Sequence, residues 1–154
     1  MSTLRAAFTE TMKTAMREKD PATLSAIRMV QAAVKQKDID VARPRGDQAI
    51  SDAEILSLLM GMVKQRRESI TLYEQGGRAD LAAQEAAEID LIERFLPAPM
   101  DDAAVAAAIQ GIISETGASS VKDMGKVMTA LKERYAGQMD FSKANGLVKT
   151  ALQG

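Results

Sequence analysis

The sequence contains no cysteine and no histidine. Without cysteine the chain can form no disulfide bond, no thiolate metal site and no thiol nucleophile. Without histidine it lacks both the most common general base and the most common metal ligand. Serine, threonine and lysine nucleophiles need an activating base, and no such pairing can be picked out. We therefore expect no catalytic constellation, no metal and no cofactor.

Long apolar runs and aromatic rings are scarce too. No segment approaches about 18 consecutive apolar residues, the length that predicts a membrane span, so no membrane association is expected. The N-terminal segment carries acids and lacks a continuous apolar core, which does not fit a secretory signal. By default we expect a cytoplasmic protein. Aromatic residues make up 3% of the chain, with no tryptophan, which leaves few rings on which bases could stack.

The residues that are present favour helices. Ala, Leu, Met, Glu and Lys dominate, and all are good helix formers. Apolar residues account for 46% and charged residues for 27% of the 154 residues, a globular composition in a chain long enough to bury a core. No long run of alternating β-branched residues predicts a strand. The sequence therefore predicts an all-α fold.

Capping residues and helix breakers mark the predicted helix boundaries. Asp20-Pro21 predicts a helix start, and Ser51 with Glu54 predicts a capping box. The predicted helices cover about 2–19, 21–41, 51–75, 79–95, 101–116, 120–135 and 140–154. Between the second and third, the polar segment 43–47 predicts an exposed, mobile loop.

Two prolines mark the best domain boundary. Pro97 and Pro99 forbid continuation of the fourth helix. We predict a four-helix N-terminal domain over residues 1–97 and a small three-helix subdomain over residues 98–154.

The charge is nearly balanced, at −1 overall, which argues against a strongly electrostatic nucleic-acid binder. Residues 1–78 hold 13 Lys and Arg against 10 Asp and Glu, and residues 79–154 hold 7 against 11. We interpret this mild asymmetry as ordinary solvated helix faces.

Two charged helical patterns meet at Gly76-Gly77, and the turn allows two interpretations. If the helices pack antiparallel, Arg66 and Arg67 face Glu85 and Glu88. Because Arg66 also lies in line with the apolar stripe, this predicts an interhelical ion network at the seam. Alternatively, a phosphate-binding edge forms from basic residues around the turn, namely Lys64, Arg67 and Arg78. A metal site on these glutamates is disfavoured, because di-metal bundles add a histidine at i+3.

A second basic group lies near the C-terminus. Its candidate RNA-backbone residues are Lys122, Lys126, Lys143 and Lys149. Gly125 either permits close helix approach or leaves backbone accessible to a ligand, and the segment lacks the residues of a P-loop. A solvated helix face is the alternative interpretation.

These segments together resemble the GatB/YqeY family over nearly the whole chain. The matching residues are Lys64–Ile70, Tyr73, Gly76–Leu81, Glu85, Glu88-Ile89, Phe95–Pro97, Asp123–Met128 and Val148-Lys149. Each segment alone is weak, but their order makes the resemblance specific to YqeY proteins.

The resemblance implies a larger N-terminal helical part, a small C-terminal one, and kinship with the C-terminal tail of GatB, a component of the glutamyl/aspartyl-tRNA amidotransferase. In that enzyme the tail helps to hold tRNA, and nothing in this chain matches the catalytic region. We therefore expect a non-catalytic accessory protein that binds tRNA or a tRNA-modifying or aminoacylation enzyme. The alternatives are a helical protein–protein adaptor without an RNA role, or an amidotransferase component. The latter would be a carbon–nitrogen ligase with glutamine as amido donor, active only with other subunits.

Overall fold

The computed structural model describes residues 3–153, and most of them are helical. Within these residues there are seven α-helices and no strand, which confirms the all-α prediction. The helices are α1 (Thr3–Arg17), α2 (Pro21–Lys37), α3 (Asp52–Gln75), α4 (Ala79–Glu93), α5 (Asp102–Thr116), α6 (Met124–Arg134) and α7 (Phe141–Gln153). The predicted first helix included Ser2, which lies outside the described residues, as does Gly154 at the end of the seventh.

Side-chain caps fix several of the helix starts. Asp20 accepts a hydrogen bond from the backbone N–H of Thr23 at 3.1 Å. Ser51 and Glu54 form a reciprocal capping box at the start of α3. Asp101 caps α5 by accepting from the backbone of Ala104. Each of these carboxylates or hydroxyls satisfies a backbone donor that the first helical turn leaves unpaired.

The regular α-helix of α2 ends at Lys37, but the backbone stays helical to Ala42, close to the predicted end at about Val41. After Lys37 the backbone widens into a π-helical turn over Asp38–Ala42, followed by a 3₁₀ turn over Arg43–Arg45. The carboxylate of Asp38 accepts hydrogen bonds from the guanidinium of Arg5 at 2.8 and 3.0 Å and from the backbone N–H of Ile50 at 2.8 Å. We attribute this change in hydrogen-bond pattern to the contacts that Asp38 makes with distant segments.

The polar segment 43–47 is exposed but regularly folded. Arg45 donates to both carboxylate oxygens of Glu54, at 2.7 and 2.6 Å, and to Asp47 at 2.7 Å. Gly46 takes a positive φ of 93°, which closes the turn. These ion pairs hold the segment against the start of α3. The predicted exposure of residues 43–47 is confirmed, and Arg43–Arg45 form a 3₁₀ turn.

The chain separates into two compact units, residues 1–96 and residues 97–154, here termed the N-terminal unit and the C-terminal unit. In the N-terminal unit, α1 packs along α2 and α3 packs along α4. Phe8 and Phe95 meet edge to face, with ring centroids 4.9 Å apart. Fully buried side chains include Phe8, Ile27, Val30, Ile55, Leu59 and Ile92.

In the C-terminal unit, α6 packs against both α5 and α7. Its core includes Ile109, Ile112, Val127, Leu131 and Val148. Gly117 ends α5 at a φ of +69°. Met100 donates its backbone N–H to the carbonyl of Gln138, which ties the start of the unit to the turn before α7.

Over the part of the chain that the structure describes, no helix is both long and apolar enough to cross a membrane.

Candidate nucleic-acid interface

Arg66 lies in the seam between α3 and α4. Its Nε donates to Glu88 Oε2 at 2.9 Å and lies 3.8 Å from Glu85 Oε2. Its side chain is 13% exposed. One terminal nitrogen donates to the carbonyl of Met62 at 3.2 Å, and the other lies 2.7 Å from Met29 Sδ. Arg66 thus meets Glu85 and Glu88 across the seam, and each of its three guanidinium nitrogens has a partner inside the protein. Arg67, which the register also placed opposite these glutamates, pairs with Glu93 instead.

The three predicted phosphate-binding residues of the hairpin, Lys64, Arg67 and Arg78, lie apart from one another. Arg67 lies 3.6 Å from Glu93, and both side chains are about half exposed or more. Arg78 instead pairs with Asp80 on its own side of the turn, at 3.2 Å. About 12 Å of α3 lies between Arg67 and the turn that carries Arg78, at ~1.5 Å per residue. Together with Lys64, which is exposed on α3, they do not form one compact cluster.

The turn itself is built on Gly77. Gly77 has a φ of +72°, a conformation that residues with a Cβ seldom adopt. The turn is closed by a hydrogen bond from the backbone N–H of Arg78 to the carbonyl of Tyr73 at 2.8 Å. This geometry places Arg78 at the end of the hairpin, where its side chain is 58% exposed.

A second basic site lies at the start of α6. Lys122 sits on the 3₁₀ turn Val121–Asp123, and Lys126 sits in the first turn of α6. Both are exposed, and neither has an ion-pair partner among residues 3–153. Gly125 lies between them, and a Cβ added there would meet no atom within 4 Å. The segment therefore offers two exposed cations without a salt bridge, beside open backbone.

Asp123 is the acidic residue within this segment. Its Oδ2 accepts hydrogen bonds from the backbone N–H groups of Ser119 at 2.9 Å and Ser120 at 3.3 Å. These bonds lower the pKa of the Asp123 carboxyl, with a smaller contribution from Lys126. Because the carboxylate is committed to the backbone, its main role is to hold the turn that carries Lys122.

The two candidates on α7 are not joined into one site. Lys143 lies 3.9 Å from Asp102, with both side chains largely exposed, so the pair is weak. Lys149 is exposed and lies six residues further along the helix, which places it on a different face. Arg134, by contrast, pairs with Glu115.

Sequence reasoning missed a further set of cations, on α1 and α2. Lys13, Arg28 and Lys35 are exposed and have no ion-pair partner in the described part of the chain. Counting charge over residues 1–78 gave 13 Lys and Arg against 10 Asp and Glu but did not show that the excess falls within residues 1–37. Counting charge helix by helix would have found them.

The N-terminal unit also has an open groove of about 480 Å³ between the π-helical turn and α3. Its lining includes Val41, Ile50, Leu58, Gly61 and Met62. Lys37 and Glu54 stand at the groove, but Glu54 is already bound by Arg45. The groove is apolar in character, and its described lining contains no cluster suited to acid–base chemistry.

Among residues 3–153, no group of three acidic side chains is placed so that it could hold a metal ion.

Comparison with known protein families assigns nearly the whole chain to one family of helical proteins. Residues 5–152 match the family model described as Yqey-like protein, so the chain belongs to the YqeY family. This confirms the resemblance found in the sequence.

Curated relatives carry the name "Altered inheritance of mitochondria protein 41, mitochondrial". The protein from Pyrenophora tritici-repentis is 29% identical over 129 residues, which cover 80% of this chain and 68% of the relative. Those from Eremothecium gossypii and Kluyveromyces lactis are 33% and 30% identical over 87 and 90 residues. These two matches cover 56% and 58% of this chain, and 45% and 46% of the relatives.

The names of these relatives contradict the expected cytoplasmic location. They describe the relatives as mitochondrial proteins. The expectation was wrong because it rested only on the lack of a secretory signal. That lack argues against export but does not distinguish one internal compartment from another.

Proposed function

We propose that this protein is a non-catalytic accessory protein that binds tRNA, with its C-terminal unit contacting the phosphate backbone through Lys122 and Lys126. The observation that carries the proposal is the pair of free, exposed cations on either side of Gly125. Free ammonium groups can neutralise phosphates without first breaking an internal ion pair. The open backbone at Gly125 lets a bulky phosphodiester chain approach closely.

The choice of tRNA over nucleic acid in general rests on the family. YqeY proteins resemble the tail of an amidotransferase component that helps to hold tRNA, and the chain belongs to the YqeY family. The nearly neutral net charge of −1 favours a local contact over a strongly electrostatic, sequence-blind binder. A tRNA-modifying or aminoacylation enzyme would then be the partner to which the bound tRNA is presented.

The arginines of the hairpin have a secondary role in this proposal. Exposed ion pairs such as Arg67–Glu93 and Arg78–Asp80 contribute little to stability. A phosphate can therefore replace the carboxylate at small cost. We expect these residues to strengthen binding only after the C-terminal contact has formed.

The test is tRNA binding by Lys122→Gln/Lys126→Gln. Fluorescence anisotropy with labelled bulk tRNA should show affinity falling at least about tenfold, with the salt dependence reduced by nearly two released ions. Gln110→Glu/Gln153→Glu is the matched control, because it changes net charge equally at exposed sites. Equal binding by the lysine variant and the wild type would contradict the proposed site.

A helical protein–protein adaptor is the second candidate, favoured by a different observation. Leu72 is 68% exposed near the end of the α3–α4 hairpin. A large apolar side chain at a projecting position is a common anchor in protein interfaces. Under this proposal a partner is recovered with the wild type even after RNase treatment, and Leu72→Lys abolishes recovery. Loss of the partner on RNase treatment would favour the tRNA proposal instead.

We also propose that the chain consists of a four-helix domain, residues 1–97, and a three-helix subdomain, residues 98–154, with the boundary at Pro97. Support comes from the separate cores of the two compact units. The fragment of residues 1–97 should then unfold cooperatively, with a far-ultraviolet circular dichroism spectrum typical of helices. A fragment that does not fold would contradict the proposal.

A further inference from the structure

The first two helices carry a marked excess of positive charge. Residues 1–37 contain seven Lys and Arg against three Asp and Glu, a net charge of +4. Residues 52–96, which include α3 and α4, contain five against nine, a net charge of −4. The two helix pairs of the N-terminal unit are therefore oppositely charged.

Most of the positive charge on α1 and α2 is free. Of the seven cations only Arg5 is committed, among residues 3–153, to an ion pair with a carboxylate, that of Asp38. Arg17 donates to the hydroxyl of Thr14 within its own helix, which leaves its charge uncompensated. Lys13, Arg28 and Lys35 have no ion-pair partner in the same described range. Of the three acids, Asp20 is used as the cap of α2.

Helical spacing gathers these cations on the outward sides of the two helices. Lys13 and Arg17 are four residues apart on α1, opposite the buried Phe8 and Ala15. Arg28 and Lys35 are seven residues apart on α2 and share an exposed side beside the buried stripe of Ile27, Val30 and Val34. Since α1 packs along α2 and both helices turn their apolar sides to one core, the exposed cations lie on neighbouring helices. Exposed Glu10 shares the side of α1 that carries Lys13 and Arg17, so this surface is basic overall but contains one acid.

We infer that this outer face of α1 and α2 is a second contact surface for the phosphodiester backbone of RNA, separate from the Lys122/Lys126 segment. The inference rests on the proposed function for its choice of RNA as the polyanion. Arg28 and Lys35 are about 10 Å apart along the helix, so the two cations can contact different phosphates of one strand.

The chemistry of the face favours phosphates over bases and over membranes. None of its exposed residues is aromatic, so bases have nothing on which to stack. Membrane-surface helices need an exposed apolar side with large residues. On α1 and α2 those residues lie in the core, and Met16 is the one large apolar side chain exposed there within the described residues.

The test compares Lys13→Gln/Arg28→Gln/Lys35→Gln with the wild type for binding of bulk tRNA across a salt series. The triple variant should bind at least about tenfold more weakly, and the slope of log K against log salt should fall by about 2–3. The control variant Gln75→Glu/Gln84→Glu/Gln110→Glu lowers the net charge by the same amount through nearly isosteric substitutions at exposed positions, and it should bind tRNA like the wild type. Circular dichroism and melting temperature check that each variant is folded.

The outcomes separate this surface from the C-terminal site. Weaker binding by the triple variant alone supports the α1–α2 surface and overturns the Lys122/Lys126 site. Weaker binding by Lys122→Gln/Lys126→Gln alone does the reverse, and losses in both support both. An equal loss of tRNA binding in the control variant Gln75→Glu/Gln84→Glu/Gln110→Glu would overturn the inference, because net charge alone would then govern binding. Wild-type binding to vesicles of phosphatidylserine and phosphatidylcholine but not to tRNA would also overturn it.

Discussion

At the scale of single residues, Arg66 and Arg67 show that a shift of one position along a helix separates a largely buried structural arginine from an exposed one. Arg66 enters the seam, where Glu88, Met62 and Met29 surround its guanidinium. Arg67, one position further along the helix, points outward and reaches only an exposed carboxylate. Adjacent helical residues differ by about 100° in direction, so the same side chain serves two different purposes.

Replacing Arg66 should therefore destabilise the fold much more than replacing Arg67. Arg66→Ala leaves Glu85 and Glu88 in a partly buried seam without their cation, and we expect a loss of about 2–3 kcal/mol in the free energy of unfolding. Arg67→Ala should cost less than about 0.5 kcal/mol, because its pair is exposed. Urea unfolding measures both. Equal losses would show that the seam does not depend on the guanidinium of Arg66.

The Arg45–Glu54 pair makes a prediction about pH. Hydrogen bonds from Arg45, and then from the backbone of Ser51, lower the pKa of Glu54 from 4.5 to about 2. A carboxyl with a lowered folded-state pKa stabilises the protein above its unfolded pKa, and this stabilisation is lost as the pH falls towards the folded-state value. The pair is about one-third exposed, so solvent screening limits the effect to about 1 kcal/mol.

Glu54→Gln isolates this contribution. Glutamine can still accept the backbone N–H of Ser51, so the capping box is kept while the charge is removed. Between about pH 5 and about pH 2, the wild type should lose about 1 kcal/mol more than the variant. Urea unfolding at a series of pH values measures the difference. Parallel pH profiles would contradict the assigned role of the ion pair.

At the scale of elements, the hairpin of α3 and α4 depends on one glycine of two. Gly77 has a φ of +72°, whereas Gly76 has a φ of −84° and a hypothetical Cβ would lie 3.4 Å from the nearest atom. Gly77→Ala should cost about 1 kcal/mol, because a Cβ is strained in the left-handed region. Gly76→Ala should be close to neutral. Thermal unfolding compares the two, and an equal effect would contradict this account of the turn.

The sequence predicts helix starts better than helix ends and loops. Asp20, Ser51 and Asp101 act within three residues of their own position, so local pattern is sufficient to find them. The end of α2 depends on Asp38 meeting Arg5 and Ile50, which lie 33 and 12 residues away. No periodicity of the chain encodes such contacts, so the change from an α-helix to a π-helical turn after Lys37 was not predicted.

At the scale of the whole molecule, the candidate site was predicted only in part for the same reason. The position of Arg66 opposite Glu88 follows from counting residues on either side of one turn. Arg67, a predicted phosphate-binding residue, pairs with Glu93 instead. This pairing depends on the direction of the side chains and could not be predicted by counting residues. The basic residues of α1 and α2 were missed because a count over residues 1–78 does not show that its excess of positive charge falls within residues 1–37.

The central claim is that this YqeY-family chain binds tRNA through phosphate contacts. Its most direct test is binding of the purified protein to bulk tRNA, with a DNA duplex as control, from about 50 to about 300 mM salt. The account predicts binding that is tighter for tRNA than for the duplex and that weakens steadily as salt is added. No binding to tRNA at the lowest salt, or equal binding to DNA, would contradict it and leave the protein adaptor as the function to pursue.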